Sequence, residues 1–209
     1  MSLQRVDLDS TPGEIVSLLA VEAAVRAAVG LEPPAPAGGT LHWEGPDGMW
    51  AALVRPGEGR ALLTGGHPGF DPTEGIGRAG EPGTDLVTDA PGWWRRGVDH
   101  ARAKGLHPGF LYGWDGSGWW RSGHPADDGF DPGLFPVTRR ALRGIIDELA
   151  DSTLLDPPGE EAVEALLDAG PDLSAAHLSA VLHSPDGWPE VDPSAGVRAA
   201  RAYLSPSPA

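Results

Sequence analysis

Two turn signals divide the first third of the chain into short apolar runs, and this spacing predicts antiparallel strands. The turns are Pro46-Asp47-Gly48 and Pro56-Gly57-Glu58-Gly59. Apolar and polar residues alternate in Leu41–Glu44 and Trp50–Val54, and the run Ala61-Leu62-Leu63 follows the second turn. An alternation with a period of two places one set of side chains on one face of a sheet. We therefore predict a β-meander whose apolar face is covered by helices.

A second hairpin is predicted around the turn Asp115-Gly116-Ser117-Gly118, which separates Phe110–Trp114 from Trp119-Trp120. Alternate residues of the first strand, from Phe110 to Trp114, share one face. One of the two following tryptophans must join that face across the turn, and the other must point away from it. Together with the meander, this hairpin gives an antiparallel sheet of about five strands.

Three long helices are predicted to cover this sheet, which makes the fold class α+β. Capping residues and apolar spacing place them at Thr11–Gly30, Asp89–Lys104 and Thr138–Ala150. On the first helix, Glu22 falls on the apolar stripe and is expected to reach water from its edge; the alternative is a buried acid with a raised pKa.

Three shorter helices are predicted beyond residue 150, at Gly159–Ala169, Ser174–His183 and Asp192–Leu204. Each has an apolar face too narrow to fold alone. We therefore divide the chain into a core domain, residues 1–150, and a three-helix lobe, residues 151–209, packed on it.

Negative charge is concentrated in the last third of the chain. The formal net charge is -15, and no Lys or Arg lies between Arg143 and Arg198, where twelve acidic residues fall. Because phosphate groups would be repelled, the composition argues against nucleic-acid binding. We expect most of this charge to face solvent or a basic protein partner; the alternative is that it only keeps the protein dispersed.

The composition predicts a cytoplasmic protein. With Cys 0, the chain can form neither disulfides nor thiolate metal sites. No apolar run approaches the roughly 20 residues that cross a membrane, and the first residues lack the pattern of a signal peptide. We therefore predict no contact with a membrane.

The predicted binding site is the tryptophan hairpin, because Trp and Tyr are the usual anchors of interfaces. Its candidate residues are His107, Tyr112, Trp114, Trp119 and Trp120. The alternative is that these aromatic residues only fill the core, which we expect for Trp43, Trp50 and Trp94. Both tryptophan pairs lie in nearly identical settings, Gly-Trp-Trp-Arg-Arg-Gly and Gly-Trp-Trp-Arg-Ser-Gly.

A catalytic or metal site is the alternative that two loops beside the hairpin offer. Its candidate residues are His67, Asp71, His124 and Asp128. Imidazoles and carboxylates that converge can bind a divalent metal or perform acid–base hydrolysis. No spacing among them is diagnostic, and the repeated Gly-Phe-Asp-Pro is also ordinary turn chemistry. We predict no metal and no cofactor.

The stretch Leu41-His42-Trp43, followed by Asp47–Trp50, resembles the strand-turn-strand of some actinobacterial immunity proteins from toxin systems, and no residue role follows from it. We predict a non-catalytic, intracellular interaction protein of the regulatory or immunity type. Its contact surface would combine the tryptophan hairpin with the acidic lobe. The alternatives are a hydrolase that uses the His/Asp loops and a carbohydrate-binding module.

Overall fold

The predicted α+β class is confirmed by a computed structural model, which describes residues 3–33, 36, 39–45, 48–66, 86–87, 89–122, 130–184 and 190–205. Its sheet is antiparallel and has six strands in the order β1-β6-β5-β4-β3-β2. The strands are β1 (Gln4–Val6), β2 (Thr40–Glu44), β3 (Trp50–Gly57), β4 (Arg60–Gly66), β5 (Phe110–Trp114) and β6 (Trp119–Arg121).

The sixth strand is β1, which the sequence pattern did not predict. It spans only three residues, Gln4, Arg5 and Val6, which is too short for alternation to be recognised. Its place in the sheet comes from pairing with β6, where Gln4 lies opposite Arg121. The formation of β1 therefore depends on pairing with a distant strand, and no local sequence pattern predicts it.

One face of the sheet is covered by helix α2 (Arg95–Ala103), which follows a 3-10 turn at Gly92–Trp94. Gly97 of this helix lies against Leu111 and Leu62. The helix was predicted to begin near Asp89, but Asp89 has a φ of 58° and lies in a turn. The chain between Asp89 and the 3-10 turn is therefore not helical, and α2 is shorter than predicted.

The remaining helices of the described residues agree with the predicted ones to within a few residues. They are α1 (Pro12–Ala28), α3 (Arg139–Ser152), α4 (Glu160–Ala169), α5 (Ala175–Val181) and α6 (Pro193–Leu204). Thr138 caps α3, because its hydroxyl accepts a hydrogen bond from the Ala141 amide at 3.2 Å. Helix α1 ends at Ala28, and Gly30 lies in the turn that follows, where its φ of 81° suits a residue just beyond a helix.

The chain forms two compact units, Met1–Pro12 with Gly38–Asp131, and Gly13–Ala37 with Pro132–Ala209. The first unit holds the sheet and α2. The second holds α3 to α6 and nearly all of α1, whereas the sequence assigned α1 and α3 to the core domain. The domain boundary at residue 150 stays a prediction. Among the described residues, no helix is long and apolar enough to cross a membrane.

The expectation that Glu22 reaches water was wrong, because Glu22 is only 1% exposed. It pairs with Arg26 one turn later on α1. Helix α6 lies beside this part of α1, since its Gly196 lies against the backbone of Ala24 and its Tyr203 lies near the Glu22 carboxylate. Tyr203 of α6 is also buried, and burial together with the nearby Glu22 carboxylate raises the pKa of Tyr203.

Candidate functional site: a tryptophan cleft

The two Gly-Trp-Trp-Arg repeats meet at one cleft of the first unit, called here the tryptophan cleft. Trp93 and Trp94 enter it from the 3-10 turn before α2, and Trp120 enters it from β6. The cleft has a volume of about 400 Å³ and is lined by Leu3, Arg60, Pro91, Trp93, Trp94, Gly113, Asp115 and Trp120. Two segments that are far apart in the sequence therefore build one site from the same motif.

Gly113 makes room for the cleft because it has no side chain. The strand register places Gly113 between Leu62 of β4 and Trp120 of β6, on the sheet face that α2 covers. A Cβ on Gly113 would lie only 2.2 Å from Cε2 of Trp94 and 2.4 Å from its Nε1. The Trp94 indole therefore packs directly on the Gly113 backbone, and Trp94 is 1% exposed.

A cation and a carboxylate lie at the cleft on neighbouring strands. Arg60 precedes Ala61, and Asp115 follows Trp114, the residue that is paired with Ala61. The guanidinium carbon of Arg60 is 5.6 Å from the Trp93 ring centroid, a distance at which a cation is attracted to an aromatic face. Arg60 also forms an ion pair with Glu58 at 3.1 Å.

Asp115 is held in place by the turn that it caps. Its Oδ1 accepts hydrogen bonds from the Ser117 amide at 2.8 Å, the Ser117 hydroxyl at 2.8 Å and the Gly118 amide at 3.2 Å. The Ser117 amide is the largest cause that lowers the pKa of Asp115 below its ordinary value, followed by the Ser117 hydroxyl. The carboxylate is therefore both oriented and ionised at neutral pH.

The cleft presents ring faces rather than indole N–H groups. Nε1 of Trp94 and Nε1 of Trp120 are covered and have no hydrogen-bond partner among the described residues. The Trp120 N–H lies near enough to Asp115 to contribute to its lowered pKa, but without the geometry of a hydrogen bond. Since neither N–H reaches the surface, a ligand would meet the π-faces of the rings.

No protein-family model, curated protein or solved structure matches this chain.

Of the predicted binding residues, Trp120 lies in the cleft, while Tyr112, Trp114 and Trp119 lie on the opposite face of the sheet. Trp119 is buried, and its Nε1–H donates a hydrogen bond to the Ser10 carbonyl at 2.7 Å. Its ring centroid is 5.5 Å from that of Trp114. Alternation in β6 therefore separates the two tryptophans, as predicted, and Trp120 is left half-buried.

The other predicted positions have simpler surroundings. Tyr112 is buried, and its ring lies 5.4 Å from Phe110 and 5.0 Å from Phe130. His107 is exposed, in the segment before β5, and does not line the cleft. A role in binding for Tyr112, Trp114, Trp119 and His107 stays a prediction.

Three cleft residues were not predicted: Trp93, Arg60 and Asp115. The repeated Gly-Trp-Trp-Arg was the available signal for Trp93, because two copies of one motif indicate one shared use. Arg60 and Asp115 could be found only from the strand register. Trp43, Trp50 and Trp94 are buried as expected, and Trp94 also forms part of the cleft wall.

The alternative catalytic set, His67, Asp71, His124 and Asp128, lies outside the described residues. Within the described ranges, no group of three or more His, Asp or Glu residues could hold a metal ion.

Two other imidazoles, His42 of β2 and His100 of α2, lie close together. The rings of His42 and His100 are 6.2 Å apart, and Nε2 of His42 is 3.1 Å from Oε1 of Glu44. Burial is the largest cause that lowers the pKa of both histidines, and the charge of Lys104 adds to it. The pair is a feature of the α2 interface with the sheet, and neither ring lines the tryptophan cleft.

Part of the acidic charge in the second unit is paired within that unit. Arg139 of α3 contacts Glu164 at 2.6 Å and Asp168 at 2.8 Å, and Arg143 contacts Glu160 at 3.2 Å as well as Glu164. Among the described acidic residues from Asp147 to Asp192, the exposed ones without an ion pair are Asp147, Glu148, Asp151, Glu161, Asp172 and Glu190. These six residues are called here the unpaired acidic surface.

A wider groove of about 650 Å³ lies between α6 and the segment before α5, with Ser174, Ser194, Arg198 and Arg201 among its lining residues. Arg198 pairs with Asp192 at 3.5 Å, and both side chains are largely exposed. The tryptophan cleft is the better candidate site, because a buried aromatic ring, Trp94, forms part of its wall, whereas most of the residues that line the wider groove are exposed.

Proposed function

We propose that this chain is a non-catalytic, intracellular interaction protein that binds a basic protein partner through the tryptophan cleft. The observation that carries the proposal is the convergence of both Gly-Trp-Trp-Arg repeats on one cleft. Tryptophan is among the residues enriched in the energetically dominant part of interfaces. In this cleft a buried ring, Trp94, supports two half-buried rings, Trp93 and Trp120.

The charge of the chain supports a cationic partner. The formal net charge is -15, and the unpaired acidic surface adds carboxylates that no described arginine or lysine neutralises. Complementary charge accelerates the encounter of two proteins and makes the association rate depend on ionic strength. A basic partner should therefore associate rapidly at low salt and more slowly as salt is added.

A carbohydrate ligand is the second candidate, because the cleft combines aromatic faces with the polar groups of Asp115 and Arg60. Sugars present apolar faces to such rings and hydroxyl groups to such side chains. The hydrolase alternative depends on His67, Asp71, His124 and Asp128, and it stays a prediction.

The proposal is tested by passing a cell lysate over three immobilised proteins: the wild type, Trp93→Ala and, as the matched control, Leu134→Ala. Leu134 is 45% exposed and lies outside the cleft lining. Truncating an interface anchor typically costs at least about 2 kcal/mol, which is roughly a thirtyfold loss of affinity. A partner should be retained by the wild type and Leu134→Ala and lost by Trp93→Ala. Equal capture by all three proteins, each folded by circular dichroism, would refute the cleft as the binding site.

A further inference from the structure

We propose that the tryptophan cleft receives the cationic end of an arginine or lysine side chain of the partner. The ring faces of Trp93 and Trp120 and the carboxylate of Asp115 would contact that cation. This inference rests on the proposed function and adds the chemistry that the cleft recognises.

The accessible aromatic surface of the cleft is rich in electrons. The indole N–H groups of Trp94 and Trp120 are covered, so they cannot donate a hydrogen bond to a surface ligand. Apart from Arg60, the polar and aromatic groups of the lining are the π-faces and the oxygen atoms of Asp115. A π-face attracts cations through the ring quadrupole, and a carboxylate attracts them directly.

The cleft already holds one cation of this chain, Arg60. The Arg60 guanidinium lies 5.6 Å from the Trp93 centroid, so the geometry of a guanidinium on this indole exists within the molecule. Glu58 neutralises Arg60 through an ion pair at 3.1 Å, which reduces repulsion of a second cation. Because Arg60 already lies over the Trp93 ring, Trp120 would make the larger contact with the partner's side chain and Trp93 the smaller one.

One carboxylate oxygen of Asp115, Oδ2, takes no part in the hydrogen bonds of its turn. The three hydrogen bonds within its turn all use Oδ1, so Oδ2 can accept a hydrogen bond from a ligand. A guanidinium or ammonium donor to a carboxylate makes a stronger hydrogen bond than a neutral donor does. Because the turn fixes this carboxylate, little side-chain freedom would be lost when the cation binds.

The cleft has room for the end of an Arg or Lys side chain and too little room for an extended ligand. Its volume of about 400 Å³ is near the lower end of ligand pockets, which span roughly 300–1,000 Å³. An oligosaccharide or a long apolar peptide segment would extend well beyond it.

The probes for this inference are three blocked tripeptides: Gly-Arg-Gly, Gly-Lys-Gly and Gly-citrulline-Gly. Citrulline has nearly the shape of arginine and carries no charge, so it isolates the contribution of the cation. Binding is followed by the indole N–H signals in a two-dimensional NMR spectrum, assigned by single Trp→Phe variants. We expect the Arg and Lys peptides to shift the Trp93 and Trp120 signals, and the citrulline peptide to bind on the order of tenfold more weakly.

Three variants test the assigned roles. Asp115→Asn keeps the Oδ1 acceptor of the turn. This variant should bind the Arg peptide about tenfold more weakly than the wild type and should bind the citrulline peptide with unchanged affinity. Asp99→Asn, an exposed carboxylate on α2 outside the cleft lining, is the matched control and should have no effect. Arg60→Gln removes the resident cation and should strengthen binding of the Arg peptide.

Equal binding of the arginine and citrulline peptides would overturn the cation assignment and leave the cleft as a binding site. The same holds if a neutral tetrasaccharide shifts these indole signals and the cationic peptides do not. If no probe shifts them at millimolar concentration, the cation assignment also fails. The capture experiment with Trp93→Ala then decides separately whether the proposed function stands.

Discussion

Gly113→Ala should disturb the tryptophan cleft and the core behind it at the same time. A Cβ at this position would lie 2.2 Å from Cε2 of Trp94 and 2.4 Å from its Nε1. Carbon atoms in contact are normally about 3.5–4.0 Å apart, so the overlap exceeds 1 Å. Trp94 is 1% exposed, and its large rigid ring cannot yield by rotating a terminal methyl group.

The expected cost combines two opposing effects. Overpacking a buried site typically costs about 1–3 kcal/mol. Replacing Gly by Ala recovers roughly 0.4–1 kcal/mol, because the unfolded chain loses conformational freedom. The net destabilisation should be about 1–2 kcal/mol, and the displaced Trp94 should also narrow the cleft.

Gly97→Ala is the matched control, because Gly97 is a buried glycine packed against the same sheet face. Its Cβ would meet Leu111 Cδ1 at 2.7 Å, but that methyl group is the end of a flexible side chain. Alanine also favours a helix over glycine by about 1 kcal/mol. These effects should nearly cancel, so the stability of Gly97→Ala should stay close to that of the wild type.

Urea unfolding followed by far-ultraviolet circular dichroism measures both variants. With a slope of about 1–3 kcal/mol per molar urea, Gly113→Ala should lower the midpoint by roughly 0.5–1 M without changing the slope. A Gly113→Ala protein as stable as the wild type would refute the reasoning. So would a Gly97→Ala protein less stable than Gly113→Ala, because flexible and rigid neighbours would then be equivalent.

Three further predictions concern pH, backbone strain and ion pairs. His42 and His100 have lowered pKa values in the folded chain, so the unfolded chain binds more protons as the pH falls below about 6.5. The urea midpoint of the wild type should therefore fall between pH 7.5 and pH 5, and that of His100→Gln should fall by less. Leu154 is 66% exposed and has a φ of 60°, a backbone conformation that is strained for leucine and relaxed for glycine. Leu154→Gly should therefore raise the free energy of unfolding in urea titrations by at most about 1 kcal/mol, and an unchanged or lower value would show that Leu154 is not strained. Glu164→Gln removes contacts with Arg139 and Arg143, which should cost up to about 1 kcal/mol and lower the thermal midpoint of unfolding. Glu161→Gln should leave that midpoint unchanged, and equal midpoints of the two variants would mean that the ion pairs of Glu164 contribute nothing to stability.

Sequence patterns were sufficient wherever structure depends on neighbouring residues. The turn Asp115–Gly118 and the alternation before it predicted the hairpin, and the structure separates Trp119 from Trp120 as the period of two requires. Capping residues predicted the start of α3 at Thr138. These features are local, so no knowledge of tertiary contacts was needed.

The errors came from contacts between distant segments. Glu22 was expected to reach water, but it is buried beside α6, and nothing near Glu22 in the sequence indicates that helix. The sequence allows a few acidic residues of the lobe to pair with arginines of residues 1–150, but it does not indicate that Arg139 and Arg143 are the partners of α4. Replacing Glu160, Glu164 and Asp168 by amides would therefore test ion pairs, whereas changing the unpaired acidic surface would test docking.

The cleft itself could not be predicted, because it depends on the register between strands. Arg60 and Asp115 become neighbours only when β4 pairs with β5. Trp94 reaches Gly113 only when the segment before α2 packs on the sheet. Such pairings are set by the whole fold, and a single sequence shows only which residues are available for them.

The repeated tryptophan pair has the same physical consequence in two different backbones. In β6, strand alternation buries Trp119 and leaves Trp120 at the cleft; in the 3-10 turn, Trp94 is buried on Gly113 and Trp93 is half-buried beside Arg60. Each buried ring fixes the backbone of its neighbour, so the neighbouring ring loses less freedom when a ligand binds. Truncation of Trp94 or Trp119 should therefore reduce mainly stability, and truncation of Trp93 should reduce mainly binding. In each pair of adjacent tryptophans, one ring is buried and anchors the backbone, and the other is placed to contact a ligand. A pair that was fully buried or fully exposed would not combine these two roles.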